Sequence, residues 1–171
     1  MKLTRRSTLA AAAAWSLAPA AWAQGLPARP VKLVVNFPPG GAADVIGRAL
    51  AQQLSEQVKQ QVVVENKPGA NGNLGADAVA KSPADGSTLL MSSGGAVTVN
   101  PFLYTKMPFD AERDLVPVAS VARVLVFLMT NPAVPVNNVQ EFIAYAKANP
   151  GKLSYGSTGS GSSPHLAGEM F

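Results

Sequence analysis

Short apolar strands that alternate with helical periods predict an α/β fold built on a largely parallel sheet. Three observations carry that expectation. Residues Lys32 to Asp44, KLVVNFPPGGAAD, run a strand straight into a Pro-Pro-Gly-Gly turn and then into a helix. A β-branched run at Val62-Val63-Val64 and a continuous apolar run from Thr88 to Met91 each follow such a helix. Loops rich in Gly and Ser then open at strand ends, at Ser92-Ser93-Gly94-Gly95 and from Gly156 to Ser163.

The first residues read as an address rather than as structure. Lys2, Arg5 and Arg6 form a basic start, Leu9 to Leu17 an apolar core, and Ala21-Trp22-Ala23 a small-x-small cleavage site, so residues 1–23 are expected to be an export signal. The apolar run is too short to span a bilayer. Arg5-Arg6 allows either the general secretory or the twin-arginine route. All ten acidic residues lie beyond this segment, with eleven of the fourteen Lys and Arg, which leaves the exported part at +1. No basic stripe with interleaved aromatics is present, so nucleic acid is not an expected partner. The chain has no cysteine and one histidine, which excludes disulfides, thiol catalysis and any His cluster for a metal. No cofactor is expected.

The opening strand (Leu33, Val34, Val35, Phe37) ends at Pro38 and Pro39, which lack the N–H that a ladder needs. Gly40 and Gly41 leave nothing in front of the next helix, whose first N–H groups have no intrahelical acceptor. That geometry suits a carboxylate or phosphate, although strand–turn–helix junctions also occur with no ligand. Asp44 falls in the first turn, where a structural role at the positive end of the helix is as natural as ligand contact. The helix from Ala42 to Val58 has Val45, Ile46, Ala49, Leu50, Leu54 and Val58 as its expected buried stripe, with Arg48, Gln52, Ser55, Glu56 and Lys59 facing away.

Val62–Val64 is the second strand, broken at Asn66-Lys67-Pro68-Gly69. Leu74, Ala78 and Val79 outline a shorter helix that ends at Ser82-Pro83 and an Ala84-Asp85-Gly86 turn. Thr88–Met91 reads as a strand buried on both faces. From Asn100 to Pro117 the period is lost, and an ordered surface connection is expected. Val124–Met129 reads as a further strand. Asn138 is a helix cap with Glu141 three residues on, and Phe142, Ile143, Tyr145 and Ala146 supply the apolar stripe before Asn149-Pro150-Gly151. Leu153-Ser154-Tyr155 is an expected strand, followed by the Gly/Ser loop and a helix start at Pro164. That helix stops at Phe171 without a cap or polar tail, which suggests the N-terminal portion of a longer protein.

Three loops of one kind thus follow strands, the place where open α/β sheets bind ligands. Enzyme signatures are incomplete. Gly41 is followed by Ala42-Ala43 rather than Lys-Ser/Thr, and neither G-x-G-x-x-G nor G-x-S-x-G is completed. Ser160 or Ser162 near His165 keeps open a periplasmic Ser/His hydrolase or transferase, with no acid partner indicated. His165 otherwise reads as a polar wall of the loop or a helix-start residue.

Taken together, Val34 to Asp44, Val64-Glu65-Asn66-Lys67-Pro68-Gly69-Ala70-Asn71-Gly72, Ser82 to Gly86, Asn100-Pro101 with Leu103-Tyr104, and Tyr155-Gly156-Ser157 through His165-Leu166-Ala167 resemble the Bug, or TctC, receptors. These are the periplasmic substrate-binding proteins of tripartite tricarboxylate transporters. Ser87 departs from the pattern, where an aromatic is common, and bears on packing. The resemblance implies a type II periplasmic-binding-protein fold with two α/β lobes, residues 24–123 forming most of the first and 124–171 the start of the second. It implies a non-catalytic receptor for a small organic acid or amino acid, monomeric at full length, that serves the transporter's membrane subunits. It implies ligand contacts at Phe37, Gly40, Gly41, Ala42, Ala43 and Asp44, at Ser92, Ser93 and Asn100 along the cleft, and at Ser157, Thr158, Gly159, Ser160, Gly161, Ser162 and His165. In receptors of this family the carboxylate is held by backbone N–H groups, hydroxyls and bridging waters rather than by an arginine clamp.

Overall fold

The structure, a computed structural model, describes residues 29–171; the expected export signal lies outside the described residues. The elements in chain order are β1 (Val31–Val35), α1 (Ala42–Val58), β2 (Val62–Asn66), a 3-10 turn (Ala70–Gly72), α2 (Asn73–Ala80), β3 (Thr88–Met91), a π-helical turn (Gly95–Val99), α3 (Asn100–Leu103), α4 (Val139–Ala148) and α5 (Ser163–Met170).

The sheet has the order β2-β1-β3 and both pairings are parallel. Val31 pairs with Val62 and Val35 with Asn66 on one side, while Lys32 pairs with Thr88 and Val35 with Met91 on the other. β1 is central, and Val31, Leu33, Val34 and Val35 are all buried. Alternate residues of a strand face opposite layers. Accordingly Val31, Leu33 and Val62 pack with Ala51, Leu50, Leu54 and Val58 of α1. On the opposite side Ala76 of α2 joins Phe109 and Ala111, with Leu90, Val97, Met107 and Leu115 around them. Helices on both faces of a parallel sheet give the expected α/β architecture.

α1 lies closer to the sheet than its pattern suggested. Its buried residues are Asp44, Gly47 and Ala51, and Val45 is 60% exposed. Ala49 is exposed as well. Leu50, Leu54 and Val58 of the expected stripe do pack on the core, but the buried face is turned towards the small residues, where the helix comes closest: a Cβ at Gly47 would stand 3.0 Å from Val35 Cγ2. Ser55, expected outward, turns in, donating to the Ala51 carbonyl at 2.7 Å and accepting the Val62 N–H at 2.9 Å.

β3 matches its expected span but is half-buried rather than enclosed on both faces, since among the described residues only β1 pairs with it. The stretch from Asn100 to Pro117, expected to lack a period, begins instead with α3, which continues a π-helical passage over Gly95–Val99. Val124–Met129 and Leu153–Tyr155 form no strands among the described residues. Their composition favours a strand, but a strand exists only with a ladder partner. The six side chains from Val124 to Met129 are all more than half exposed.

α4 starts as its cap predicted. The Glu141 N–H donates to Asn138 Oδ1 at 2.9 Å, and Glu141 Oε2 accepts the Asn137 N–H at 2.7 Å. Phe171, just past the end of α5, meets Phe142 of α4, with ring centroids 5.4 Å apart. Tyr155 lies under α5, where a Cβ on Gly168 would stand 2.5 Å from its ring, and its hydroxyl donates to Glu169.

Candidate functional site

The Pro-Pro-Gly-Gly turn leaves the sheet at the carboxyl end of β1. Gly40 takes φ +81, a conformation that glycine adopts without strain, and the chain then enters α1 through Gly41 in an extended conformation with no side-chain cap. The N–H groups of Ala42, Ala43 and Asp44 open the helix with no intrahelical acceptor. The Val45 N–H is the first to turn back, to the Gly41 carbonyl at 3.0 Å. Space in front is open: a Cβ on Gly40 would meet nothing within 4 Å, and one on Gly41 only the Pro38 carbonyl at 3.6 Å. Phe37 is half-buried beside this turn, and Ala42 is exposed.

Asp44 is buried, and its carboxylate is already engaged. Oδ2 accepts the Gly40 N–H at 2.9 Å and Arg48 Nε at 3.1 Å, while Oδ1 accepts Asn66 Nδ2 at 2.8 Å and pairs with Arg48 Nη2 at 3.0 Å. Asn66 also donates to the Phe37 carbonyl at 3.1 Å and accepts Arg48 Nη2 at 3.0 Å. The Arg48 side chain, the Gly40 N–H and the Asn66 amide hold the Asp44 carboxyl down to about 2. Its charge is thus spent within the protein, tying the turn to α1 and to the end of β2. It leaves the helix N-terminus facing open space.

The second loop is bound to the first through Asn36, the residue just after β1. Its side chain is fully buried; Nδ2 donates to Ser92 Oγ at 2.8 Å and to the Gly72 carbonyl at 3.1 Å. Ser92 Oγ in turn donates to the Ser93 carbonyl at 2.7 Å. Asn100 is fully buried and bonded on both sides of its amide, as donor to Asn73 Oδ1 and to the Asn71 carbonyl and as acceptor from Asn71 Nδ2 at 2.8 Å.

The third loop meets the second. A Cβ on Gly95 would come within 3.4 Å of the Gly161 carbonyl. Ser157, Thr158, Gly159 and Ser160 are exposed, whereas Gly161 and Ser162 are buried. Ser162 caps α5, its Oγ accepting the His165 N–H at 3.4 Å, and His165 Nδ1 accepts the Gly161 N–H at 3.3 Å. The Ser162 hydroxyl and the His165 ring are therefore each engaged with a backbone N–H rather than with one another, which is not the geometry of a Ser/His pair.

The structure thus brings Asn100 against Gly161, and joins Ser92 to Asn36 at the end of β1, next to the turn that begins at Phe37. Sequence reasoning missed Asn36, Asn66, Asn71 and Asn73. The one available signal was polarity out of place: Asn36 interrupts the apolar run Leu33-Val34-Val35 before Phe37. Among the described residues no cluster of three acidic or histidine side chains could hold a metal, and no helix is long and apolar enough to cross a membrane.

A family profile described as "Tripartite tricarboxylate transporter family receptor" matches residues 46–171, well over half of the chain. Among solved structures, Rpa4515 of Rhodopseudomonas palustris with adipate is 40% identical, with a TM-score of 0.80, over 84% of this chain and 48% of that one. The periplasmic binding protein BugD is 31% identical, with a TM-score of 0.68, over the same 84% and 48%. MatC from the same Rhodopseudomonas species, with bound malate, is 28% identical, with a TM-score of 0.61, over 71% of this chain and 42% of that one. The chain spans about half the length of the curated relatives it matches, 43 to 47% for three that are 41 to 44% identical.

Proposed function

The chain belongs to the tripartite tricarboxylate transporter receptor family, whose members are periplasmic solute receptors, and on that premise we propose that it binds a small dicarboxylate for delivery to a membrane transporter. The observation that carries the ligand class is the open N-terminus of α1. Its first N–H groups face free space, and the adjacent Asp44 carboxylate is neutralised by Arg48 instead of repelling an anion. One ligand carboxylate sits against Gly40, Gly41, Ala42 and Ala43, beside Phe37. The exposed hydroxyls of Ser157, Thr158 and Ser160 receive the other end, with Ser92, Ser93 and His165 lining the space between. Asp44, Asn100, Gly161 and Ser162 support these contacts from behind, because their polar groups are bonded within the protein. Adipate and malate in the related structures are both dicarboxylates, which favours this class over amino acids and aromatic acids.

In this reading residues 24–123 belong to one lobe and 124–171 to a second, residues 1–23 are cleaved on export to the periplasm, and the receptor is a monomer. Binding stabilises the form in which both lobes touch one ligand. A thermal-shift panel of dicarboxylates, tricarboxylates, aromatic acids and amino acids on the full-length protein tests it. Saturable stabilisation by dicarboxylates without consumption of the compound is expected. Turnover that is lost on changing Ser160 or His165 would establish the hydrolase instead.

A further inference from the structure

We propose that Asn71 and Asn100 are positioning residues, whose joined amides form a seat for Gly161 and so fix the Ser157–Ser162 turn against the Ser92–Gly95 loop. The proposal deepens the receptor reading and rests on it for the role of the turn. Three segments far apart in the chain meet here. Asn71 Nδ2 donates to Asn100 Oδ1 at 2.8 Å, and Asn100 Nδ2 returns a bond to the Asn71 carbonyl at 3.2 Å. The second hydrogen of Asn100 Nδ2 goes to Asn73 Oδ1 at 2.6 Å, so the amide has no freedom to turn. Asn100 is fully buried, and Asn71 sits at φ 50, a left-handed conformation that asparagine tolerates better than other side chains.

Gly161 rests on this pair with no room to spare. A Cβ there would lie 2.9 Å from Asn100 Oδ1, 2.9 Å from Leu103 Cδ1 and 3.0 Å from Asn71 Nδ2, and its φ of +82 also favours glycine. Gly95 closes the other side: a Cβ would stand 3.4 Å from the Gly161 carbonyl and 3.5 Å from Asn71 Nδ2. The base of the turn is therefore gripped, and bonds from the Ser162 N–H to the Gly159 carbonyl at 3.1 Å and from the Gly161 N–H to His165 Nδ1 hold its shape. Residues 157–160 project from that base. Where their hydroxyls stand relative to the α1 N-terminus is thus set by this pair of joined amides. A hydroxyl displaced by an ångström no longer reaches the carboxylate it should meet.

Amide hydrogen exchange on the full-length protein without ligand tests the seat. Asn71→Gly removes the amide yet keeps a residue at ease with positive φ, and Gly161→Ala spoils the contact from the other side. Either change is expected to speed exchange of residues 159–162 by about tenfold or more while β1, β2 and β3 stay within about twofold of the unchanged protein. The double variant is expected to match the worse single variant, since both break one contact. Unchanged exchange in the turn overturns the proposal, as does acceleration of sheet and turn together. Titration with adipate then reads the consequence: Asn71→Gly is expected to weaken binding about tenfold, and faster exchange with unaltered affinity overturns the positioning role. If the unchanged protein takes up no adipate, the receptor reading fails for that ligand, while the exchange pattern still decides the seat.

Discussion

Asp44 shows how one side chain can look like a ligand contact and yet be engaged wholly within the protein. A carboxylate at the entrance of an anion site would repel the anion, yet this one is turned inward and compensated by Arg48, the Gly40 N–H and Asn66. Its carboxyl titrates at about 2 in the folded protein against an ordinary 3.8. A folded value below the unfolded one gives stability that is complete above pH ~4 and is lost as pH falls through about 2. Asp44→Asn is expected to lower the melting temperature at neutral pH. Melting curves of both proteins from neutral to strongly acid pH should show the gap closing as pH falls towards 2. A gap independent of pH would mean that the charge of Asp44 does not carry its role. Arg48 stands one helical turn from Asp44, a local i,i+4 pairing, whereas Asn66 takes part only because the end of β2 lies beside the turn, and nothing in its local sequence announces it.

Among the elements, those held by local rules were legible and those held by distant partners were not. The Asn138 cap with Glu141 marked the start of α4 correctly, and the bond from the Glu141 N–H to Asn138 Oδ1 is present. Asn138→Ala is expected to cost about 1 kcal/mol in urea unfolding at an unchanged m-value. The turn prolines and glycines likewise placed the end of β1 and the start of α1. The face that α1 buries was legible only in part: Leu50, Leu54 and Val58 pack on the core as expected, but the closest approach is through Gly47 and Ala51 while Val45 stays in water. Gly47→Leu is expected to destabilise by about 1–3 kcal/mol, since its side chain has to displace Val35 and Met91. A thermal or urea melt with no loss would contradict that close packing. The strands expected at Val124–Met129 and Leu153–Tyr155 failed for a different reason. β-branched and aromatic residues advertise a strand, but pairing is decided by what lies alongside. The π-helical turn at Gly95–Val99 was hidden by its Gly-Gly start, and its continuation carries Asn100 into the buried amide pair.

For the whole molecule, the site is an arrangement of backbone rather than of reactive side chains. The strand-end position of the first two loops, after β1 and β3, and the Gly and Ser content of the third could be read from the sequence, whereas the asparagines at their base could not. In the proposed reading, neutral donors from a helix start and from hydroxyls recognise a carboxylate without a lysine or arginine clamp, and the Arg48 charge is spent on Asp44. Recognition of this kind depends on single N–H groups. Ala42 is the first residue of α1, and Gly41 before it is extended, at φ −77 and ψ 169. Proline is well accommodated at that position, where its missing N–H is not needed by the helix. Ala42→Pro thus removes one proposed donor and little else. The measurement that tests the account most directly is calorimetric titration of adipate into the full-length protein and into this variant, with both melting curves recorded. The account predicts saturable one-to-one binding that weakens by about ten- to a hundredfold in Ala42→Pro, a hydrogen bond to a charged group being worth about 1.5–3 kcal/mol, at nearly equal melting temperatures. Equal affinity in the two proteins would contradict it.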